Sequence, residues 1–305
     1  MEQGIDLILI GGFLGAGKTT FLRRLLGEMQ GRRLGVLVNE FGAVGVDGEL
    51  LRGRGAELVE LSNGSIFCSC LKQDFVAALR RFSETDIDAL VIENSGMADP
   101  GGMDAILASL SPYLRRPYLP RGLLCLADCL TLPEYADVLL PVQHQLEEAA
   151  LVLVNKLDLV SPARVREVHG AVRAHSAAPI LDTVCGDVPA EALAALLSGG
   201  TPRRWAVCLL EFDGAVPMDA FGAFCAAAEP FVRRVRGFLP DGAGGWLTAD
   251  TASGLPAGPT GEAAPDRDAE RGQLVLLGRD ERPLADRAAL AWERCCGRAC
   301  AVTEV

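Results

Sequence analysis

Five short apolar runs recur along the first half of the chain. They are IDLILI (5–10), LGVLVN (34–39), DALVIE (88–93), GLLCLAD (122–128) and ALVLVN (150–155). Leucine, valine and isoleucine follow one another in these runs with little alternation of apolar and polar positions, which is typical of strands buried on both faces. The pattern therefore predicts a sheet that is covered on both sides.

Segments with helical periodicity lie between these runs. The clearest are residues 19–29, residues 72–82 and the stretch after Ser161-Pro162, where serine suits a helix N-cap and proline suits the first turn. Strands that alternate with helices predict an α/β fold with a doubly wound, mostly parallel sheet. The alternation continues to about residue 200, so we assign residues 1–200 to one domain.

A different pattern follows the turn-forming sequence SGGTPRR. It predicts strands at 205–212, 231–239 and 273–278, and helices at 217–229 and 284–296. This mixture indicates a second, smaller α+β domain over residues 204–305. Few large apolar residues occur between positions 241 and 272, which predicts that much of this segment is a flexible loop.

The overall composition restricts the class of partner. Half of the 305 residues are hydrophobic, which is enough for a large core, and the net charge of −11 gives no general basis for binding nucleic acid. The first residues have no basic region and only a short apolar run, which argues against export and against membrane insertion. We therefore expect a cytoplasmic protein in which the ten cysteines stay reduced, as metal ligands, catalytic groups or buried thiols.

The first predicted strand runs directly into GFLGAGKTT, where Gly12, Gly17, Lys18 and Thr19 satisfy the P-loop pattern. Glycine-rich backbone turns its N–H groups toward phosphate oxygens, and the helix that follows adds its dipole. Lys18 would reach the β- and γ-phosphates, and the Thr19 hydroxyl would ligate Mg²⁺. The predicted nucleotide-binding residues of this loop are Gly12, Gly15, Ala16, Gly17, Lys18, Thr19 and Thr20. The alternative, a chance glycine-rich turn, is disfavoured by the strand before the loop and the helix after it.

The tetrapeptide NKLD ends the fifth apolar run and contributes Asn155, Lys156 and Asp158 to the predicted nucleotide site. In a parallel sheet this position lies at the carboxyl edge, where a nucleotide base would bind. A fixed aspartate accepts hydrogen bonds from N1–H and from the 2-amino group of guanine, whereas adenine offers neither donor. The sequence therefore predicts GTP rather than ATP as the ligand.

A third motif, IENSGMADP, follows the third apolar run. We assign Glu93 to hold Mg²⁺ through water and Gly96 to sense the γ-phosphate through its N–H group. The alternatives are a turn at Gly96 and a helix N-cap at Ser95 or Asp99, and for Asp99 a cap and a catalytic role both stay open. The predicted catalytic residues are Lys18, Thr19, Glu93 and Gly96.

Taken in order, GFLGAGKTT, NEFGAVGVD (39–47), the cysteine-containing stretch after Asn63-Gly64, IENSGMADP and NKLD resemble the CobW family of P-loop GTPases. The CobW proteins are relatives of the HypB and UreG metal-insertion GTPases. The resemblance implies slow GTP hydrolysis coupled to delivery of a metal or to maintenance of a metal-dependent client. It also implies that Asn39, Glu40 and Gly42 form a switch segment near the metal, although a solvated loop carboxylate is the alternative for Glu40.

The metal motif departs from the family pattern Asn-Gly-Cys-x-Cys-Cys. This chain has Ser65 and Phe67 at the first two cysteine positions and matches only the last, Cys68. Serine is a poor ligand for a soft metal and phenylalanine is none, so the usual three-thiolate site cannot form.

A reduced metal site remains open. Cys68 and Cys70 are two residues apart and point to the same side of an extended chain, so both thiolates would reach one ion such as Zn²⁺ or Co²⁺. Glu40, a histidine, water or a second subunit would complete four-coordination. Buried or redox-active thiols without metal are the alternative. Cys296 and Cys300 form a weaker pair that would share a helical face, so a second thiolate site is conceivable there, but for these two and Cys295 helix packing or a frayed tail is favoured.

Two functions follow from these motifs. The first is a GTPase that delivers a thiolate-bound metal, and the second is a nucleotide-switched chaperone or reactivation factor for a metal or corrinoid enzyme that carries no ion itself. The missing cysteines favour the second, whereas the pair Cys68 and Cys70 keeps the first open. The expected partners are GTP and a client metalloprotein. No arginine finger is identifiable, so a partner or a homodimer would have to complete the catalytic site.

Overall fold

A computed structural model of the chain describes residues 4–29, 31–38, 57–60, 71–97, 100, 103–197, 206–243, 245–251, 271–278 and 283–304. The chain divides into two compact units. The first unit contains Met1–Asn155, Val168–Leu181 and Cys185–Arg203, and the second contains Lys156–Glu167, Asp182–Val184 and Arg204–Val305.

The strands of the first sheet alternate with helices along the chain. The strands are β1 (Ile5–Gly12), β2 (Leu34–Val38), β3 (Glu57–Glu60), β4 (Ala89–Glu93), β5 (Tyr118–Asp128), β6 (Ala149–Asn155) and β7 (Ile180–Asp182). The helices are α1 (Lys18–Glu28), α2 (Leu71–Ser83), α3 (Met103–Leu110), α4 (Leu132–Tyr135), α5 (Leu140–Glu147), α6 (Pro162–His175) and α7 (Ala190–Leu197). The predicted N-cap of α6 is present, since the Arg164 N–H donates to the Ser161 hydroxyl at 3.4 Å.

The sheet has the strand order β3-β2-β4-β1-β5-β6-β7 among the described residues. The pairs β2–β3, β2–β4, β1–β4, β1–β5 and β5–β6 are parallel. The chain lays β2 to β4 on one side of β1 and β5 to β7 on the other, so the winding direction reverses at β1. This confirms the predicted doubly wound sheet, and ligands of such sheets bind at the carboxyl ends of the strands beside the reversal.

Burial explains why the strands lack alternation. All eight residues of β1 and all five of β4 are buried. A strand covered on both faces loses its polar positions, because each side chain leaves water whichever way it points. The short strands β3 and β7 were missed because ELVE and ILD contain too few apolar residues to stand out.

The second sheet belongs to the second unit and is antiparallel. Its strands are β8 (Val207–Asp213), β9 (Val232–Pro240), β10 (Trp246–Asp250), β11 (Arg271–Gly278) and β12 (Ala301–Glu304), and its helices are α8 (Met218–Ala228) and α9 (Leu284–Cys296). The strand order is β10-β9-β11-β8-β12. Trp292 of α9 is fully buried, with its ring centroid 4.4 Å from Phe212 and 5.1 Å from Phe224. This aromatic cluster joins the helices to one face of the sheet.

The opposite face of this sheet receives the segment that follows β6. A short 3-10 helix, Leu157–Leu159, contacts β9 and β11. The Gln273 side chain of β11 donates from Nε2 to the Val160 carbonyl at 2.8 Å and is buried. The segment from Lys156 to Glu167, which includes the last three residues of NKLD, is therefore part of the second unit.

The segment 241–272, much of which is predicted to be a flexible loop, contains a strand in its first part. Residues Trp246–Asp250 form β10, which pairs antiparallel with β9. The Asp241 Oδ1 atom closes the turn by accepting from the Ala243 and Gly245 N–H groups, each at 2.7 Å. One carboxylate thus organises a glycine- and alanine-rich stretch whose composition indicated a loop. Residues 252–270 lie outside the described residues.

Within the part of the chain that the structure describes, no helix is both long enough and apolar enough to cross a bilayer.

Candidate functional site

The P-loop connects β1 to α1 and is held by its own backbone. The Ala16 N–H donates to the Phe13 carbonyl at 3.2 Å, and Gly17 caps α1 with a left-handed backbone, φ 98°. The Lys18 side chain is buried, and its Nζ atom donates to the Phe13 carbonyl at 3.3 Å. The ammonium group is therefore held against the loop, where the pattern predicts phosphates.

Two glycines of the loop are required by close packing. A Cβ atom on Gly12, whose φ is 129°, would lie 2.5 Å from the Leu126 carbonyl oxygen. A Cβ atom on Gly17 would lie 2.7 Å from the Asn155 Nδ2 atom. Of the other predicted loop residues, Ala16 is buried, whereas Gly15 and Thr20 are exposed. Backbone can approach its neighbours this closely only without a side chain.

Thr19 and Glu93 meet although they are 74 positions apart. The Thr19 hydroxyl donates to the Glu93 Oε1 atom at 2.8 Å. Glu93 is fully buried at the end of β4, and the strand register places it beside Ile10 of β1. The bond fixes the orientation of the Thr19 hydroxyl beside a carboxylate, and oxygens of these two kinds are the ligands that Mg²⁺ prefers.

Asn155 connects the P-loop to the segment after β7. Its side chain is buried, donates from Nδ2 to the Ala16 carbonyl at 2.9 Å and accepts at Oδ1 from the Gly186 N–H at 3.0 Å. The first residue of NKLD thus stabilises the loop rather than projecting into open space. Sequence reasoning placed Asn155 in the nucleotide site but did not foresee these partners.

The remaining NKLD residues lie in the second unit. Lys156 has a left-handed backbone, φ 69°, and precedes the short 3-10 helix. Asp158 is buried, and its Oδ2 atom accepts from the Arg236 Nε atom at 2.8 Å. The predicted guanine acceptor is therefore part of an ion pair with a residue that sequence reasoning missed.

Gln145 is a second missed residue. It lies on α5, is buried, and accepts at Oε1 from the Gly12 N–H at 2.7 Å. Its Nε2 atom donates to the Gly96 carbonyl at 3.2 Å. Gly96 itself packs against the P-loop, because a Cβ atom there would lie 2.6 Å from the Leu14 nitrogen. One amide side chain thus joins the start of the P-loop to the predicted γ-phosphate sensor.

A weak signal for Gln145 was present in the sequence. It falls on the same helical face as Val142 and Leu146, which are buried. A polar residue on the apolar face of a helix indicates a buried hydrogen-bond partner. No motif marks the position, so its partners could not be named from the sequence.

The geometry agrees with the comparisons with known proteins. The model of the CobW/HypB/UreG nucleotide-binding domain matches residues 6–181, which is more than half of the chain. The chain belongs to the CobW/HypB/UreG family. The zinc chaperone YjiA of Escherichia coli (strain K12) is 35% identical over 190 residues, a match that covers 60% of this chain and 59% of that protein. The zinc chaperone CobW of Sinorhizobium sp is 33% identical over 202 residues, covering 56% of each chain.

The likeness to solved structures extends over nearly the whole chain. The crystal structure of Zn(II)-bound YjiA GTPase from E. coli aligns with 96% of this chain and 99% of that chain, with a TM-score of 0.50 and 25% identity. The sequence matches to the curated relatives span less than two thirds of their length. The family assignment confirms the resemblance inferred from the motifs.

The transition-metal prediction for this family member falls outside the structure. Glu40, Cys68 and Cys70 are not among the described residues, and neither is Asp99. Over the described ranges, no group of three or more histidine, cysteine, aspartate or glutamate side chains could hold a metal ion. The metal-binding role of Glu40, Cys68 and Cys70 stays a prediction.

The C-terminal cysteines are packing residues in the described structure. The helix α9 ends at Cys296 because Gly297 adopts a left-handed C-cap, so the predicted helical face shared by Cys296 and Cys300 is wrong. Cys225, Cys296 and Cys300 pack against the core of the second unit. Burial raises the pKa of Cys225 to about 12 and that of Cys296 to about 11. Thiols that stay protonated at neutral pH are poor metal ligands.

Proposed function

We propose that this chain is a GTPase that binds GTP with Mg²⁺, hydrolyses GTP slowly and couples the nucleotide state to delivery of a metal ion to a client metalloprotein. The single observation that supports it most is the 2.8 Å approach of the Thr19 hydroxyl to the Glu93 carboxylate, next to the P-loop that holds Lys18. Thr19 occupies the second position of α1, at the end of the P-loop, and a hydroxyl beside a carboxylate at this place provides oxygen ligands of the kind that Mg²⁺ prefers. Family membership supports the same reaction.

Each residue has a distinct task in this proposal. The P-loop amides and the Lys18 ammonium group bind the β- and γ-phosphates, and the Gly96 N–H contacts the γ-phosphate. Thr19 holds Mg²⁺ directly and Glu93 holds it through water. The bound ion neutralises negative charge on the phosphate oxygens. Asp158 selects guanine, while Asn155 keeps the loop in place through the Ala16 carbonyl.

Hydrolysis should be slow in the isolated chain. Catalysis of phosphoryl transfer is largely positioning and charge stabilisation, and an arginine supplied to the γ-phosphate accounts for a large share of it in related reactions. The motifs assign no such arginine. We therefore expect a partner or a second copy of the chain to accelerate turnover.

The ion itself is the cargo. Relatives named zinc chaperones support Zn²⁺, and Cys68, Cys70 and Glu40 are the proposed ligands. A second candidate is a nucleotide-switched chaperone without cargo, favoured by Ser65 and Phe67 at positions where the family pattern has cysteine. Nucleotide chemistry is common to both candidates.

Phosphate release tests the GTPase. Lys18→Ala should abolish hydrolysis, because the buried ammonium group opposite the Phe13 carbonyl is lost, whereas Arg23→Ala on the exposed face of the same helix should not. Hydrolysis by Lys18→Ala at the wild-type rate would refute the assignment. Contaminating activity is excluded if Lys18→Ala, purified identically to Arg23→Ala, releases no phosphate.

Metal titration separates the two candidates. Reduced protein is titrated with Zn²⁺ against a chelator of known affinity, with and without GTP and Mg²⁺. Nucleotide-dependent binding that Cys68→Ala abolishes supports the carrier. No stoichiometric binding in either nucleotide state supports the chaperone without cargo.

A further inference from the structure

The carboxylate expected to select guanine is held by an arginine from the antiparallel sheet. The Asp158 side chain is 3% exposed, and its Oδ2 atom lies 2.8 Å from the Nε atom of Arg236 on β9, whose side chain is 15% exposed. Both residues belong to the second unit. None of the sequence motifs points to Arg236.

Arg236 is itself fixed by a second carboxylate. Its Nη1 atom donates to the Asp250 Oδ2 atom at 3.0 Å, and β10 places Asp250 directly opposite Arg236 in the strand register. Arg234, two residues earlier on β9, also binds Asp250, with Nε to Oδ1 at 3.1 Å and Nη2 to Oδ2 at 2.7 Å. The guanidinium of Arg236 is therefore clamped between Asp250 and Asp158.

The backbone near Asp158 is fixed by the same sheet. The buried Gln273 side chain of β11 binds the Val160 carbonyl, two residues after Asp158. With its backbone anchored and its carboxylate paired, Asp158 has little freedom to rotate. An acceptor held in one orientation binds its ligand without a further loss of conformational entropy.

The ion pair is compatible with base recognition. An ionised carboxylate has about four lone-pair sites, and Arg236 uses one of them on Oδ2. Sites remain for the N1–H and 2-amino donors of guanine. An ion pair of this kind therefore orients the acceptor without saturating it.

We propose that Arg236 is a positioning residue for guanine recognition. The β9–β10 hairpin, which carries Arg236 and Asp250, then contributes to the guanine specificity of the proposed GTPase. The inference rests on the proposed function, since it assumes that Asp158 binds the base. Linkage makes the effect reciprocal: if Arg236 favours guanine binding, bound guanine stabilises the Arg236–Asp158 pair and with it the hairpin.

The test is calorimetric binding of GDP and ADP, in magnesium buffer, to the full chain and its variants. Arg236→Ala should weaken GDP binding about tenfold or more, because Asp158 loses the orientation in which it bonds two donors. ADP binding, which depends on the phosphates, should change less than about threefold. Arg236→Lys, which keeps the charge but loses the second donor to Asp250, should fall between.

Arg234→Ala is the matched control, because Arg234 lies on the same strand as Arg236 and binds the same Asp250 carboxylate. It should lower the melting temperature yet keep the wild-type preference for GDP over ADP. A purely structural role for Arg236 predicts that both alanine variants behave alike in the binding assay, which would overturn the proposal. An unchanged or higher GDP affinity in Arg236→Ala would overturn it as well.

Failure of the underlying function would look different. Wild-type protein that binds GDP no better than ADP would refute the proposed GTP specificity, before any variant is compared. If Arg236→Ala does not fold, Arg236→Lys is compared with the wild type instead. A wild-type ratio of GDP affinity to ADP affinity in Arg236→Lys, together with a wild-type melting temperature, would refute the positioning role.

Discussion

The Gln145 side chain offers a sharp test of how the candidate site is held together. Gln145→Leu keeps the approximate volume of the side chain but removes the acceptor for the Gly12 N–H and the donor to the Gly96 carbonyl. Both glycines are buried, so neither backbone group gains water in exchange. A buried polar group left without a partner costs about 1–3 kcal/mol, which gives about 2–6 kcal/mol for the two.

Local relaxation and the extra apolar surface of leucine offset part of this cost. We therefore expect Gln145→Leu to lose about 2–4 kcal/mol of unfolding free energy. Urea unfolding followed by far-UV circular dichroism measures the loss. Hydrogen exchange of the peptide that contains Gly12 should show faster exchange in the variant, because that amide no longer donates to Gln145.

Gln143→Leu is the matched control, since Gln143 lies on the same helix but is only partly buried. It should change the unfolding free energy by no more than about 0.5 kcal/mol. Gln145→Glu keeps an acceptor for Gly12 but places a carboxylate next to the Gly96 carbonyl, so it should also destabilise. Equal stability of the leucine variants at 145 and 143 would refute the reasoning, because the two buried hydrogen bonds would then contribute nothing.

Three further predictions follow from the geometry. Thr19→Val should reduce the affinity for GDP far more in the presence of Mg²⁺ than in its absence, because the hydroxyl beside Glu93 is lost. Thr19→Ser keeps the hydroxyl and should retain the Mg²⁺ dependence of GDP affinity, which calorimetry with and without Mg²⁺ measures. Gly96→Ala should destabilise by about 1–3 kcal/mol in urea unfolding, because the new methyl group meets the backbone nitrogen of Leu14, and unchanged stability would contradict this packing. The rate of Cys296 alkylation, measured by mass spectrometry, should rise with pH up to about 11, because desolvation raises the pKa of this thiol and only the thiolate reacts. A rate that reaches its plateau below pH 9 would contradict this prediction.

Much of the nucleotide-binding domain could be predicted because its signals are local. The buried strands are continuous apolar runs, and Gly12 and Gly17 mark a loop whose backbone turns need glycine. The order of the motifs identified the family. These features depend on residues close together in the chain, where spacing alone determines which groups can meet.

The predictions that failed depended on structure beyond the local pattern. The strand β10 exists because it pairs with β9 across a turn closed by Asp241, although its composition indicated a loop. Cys300 does not share a helical face with Cys296, because a left-handed Gly297 ends α9 first. The left-handed backbone of Gly297 decided where α9 ends, and the Asp241 carboxylate decided that β10 pairs with β9.

The sequence by itself determined that a P-loop follows a buried strand, that Glu93 and NKLD end two others, and that the chain resembles the CobW family. Only the tertiary structure decided which side chains support these motifs. Gln145 meets Gly12 across 133 positions and Arg236 meets Asp158 across 78. Contacts at such separations arise only when strands and helices pack, because that packing alone brings the buried donors and acceptors of distant segments within hydrogen-bonding distance.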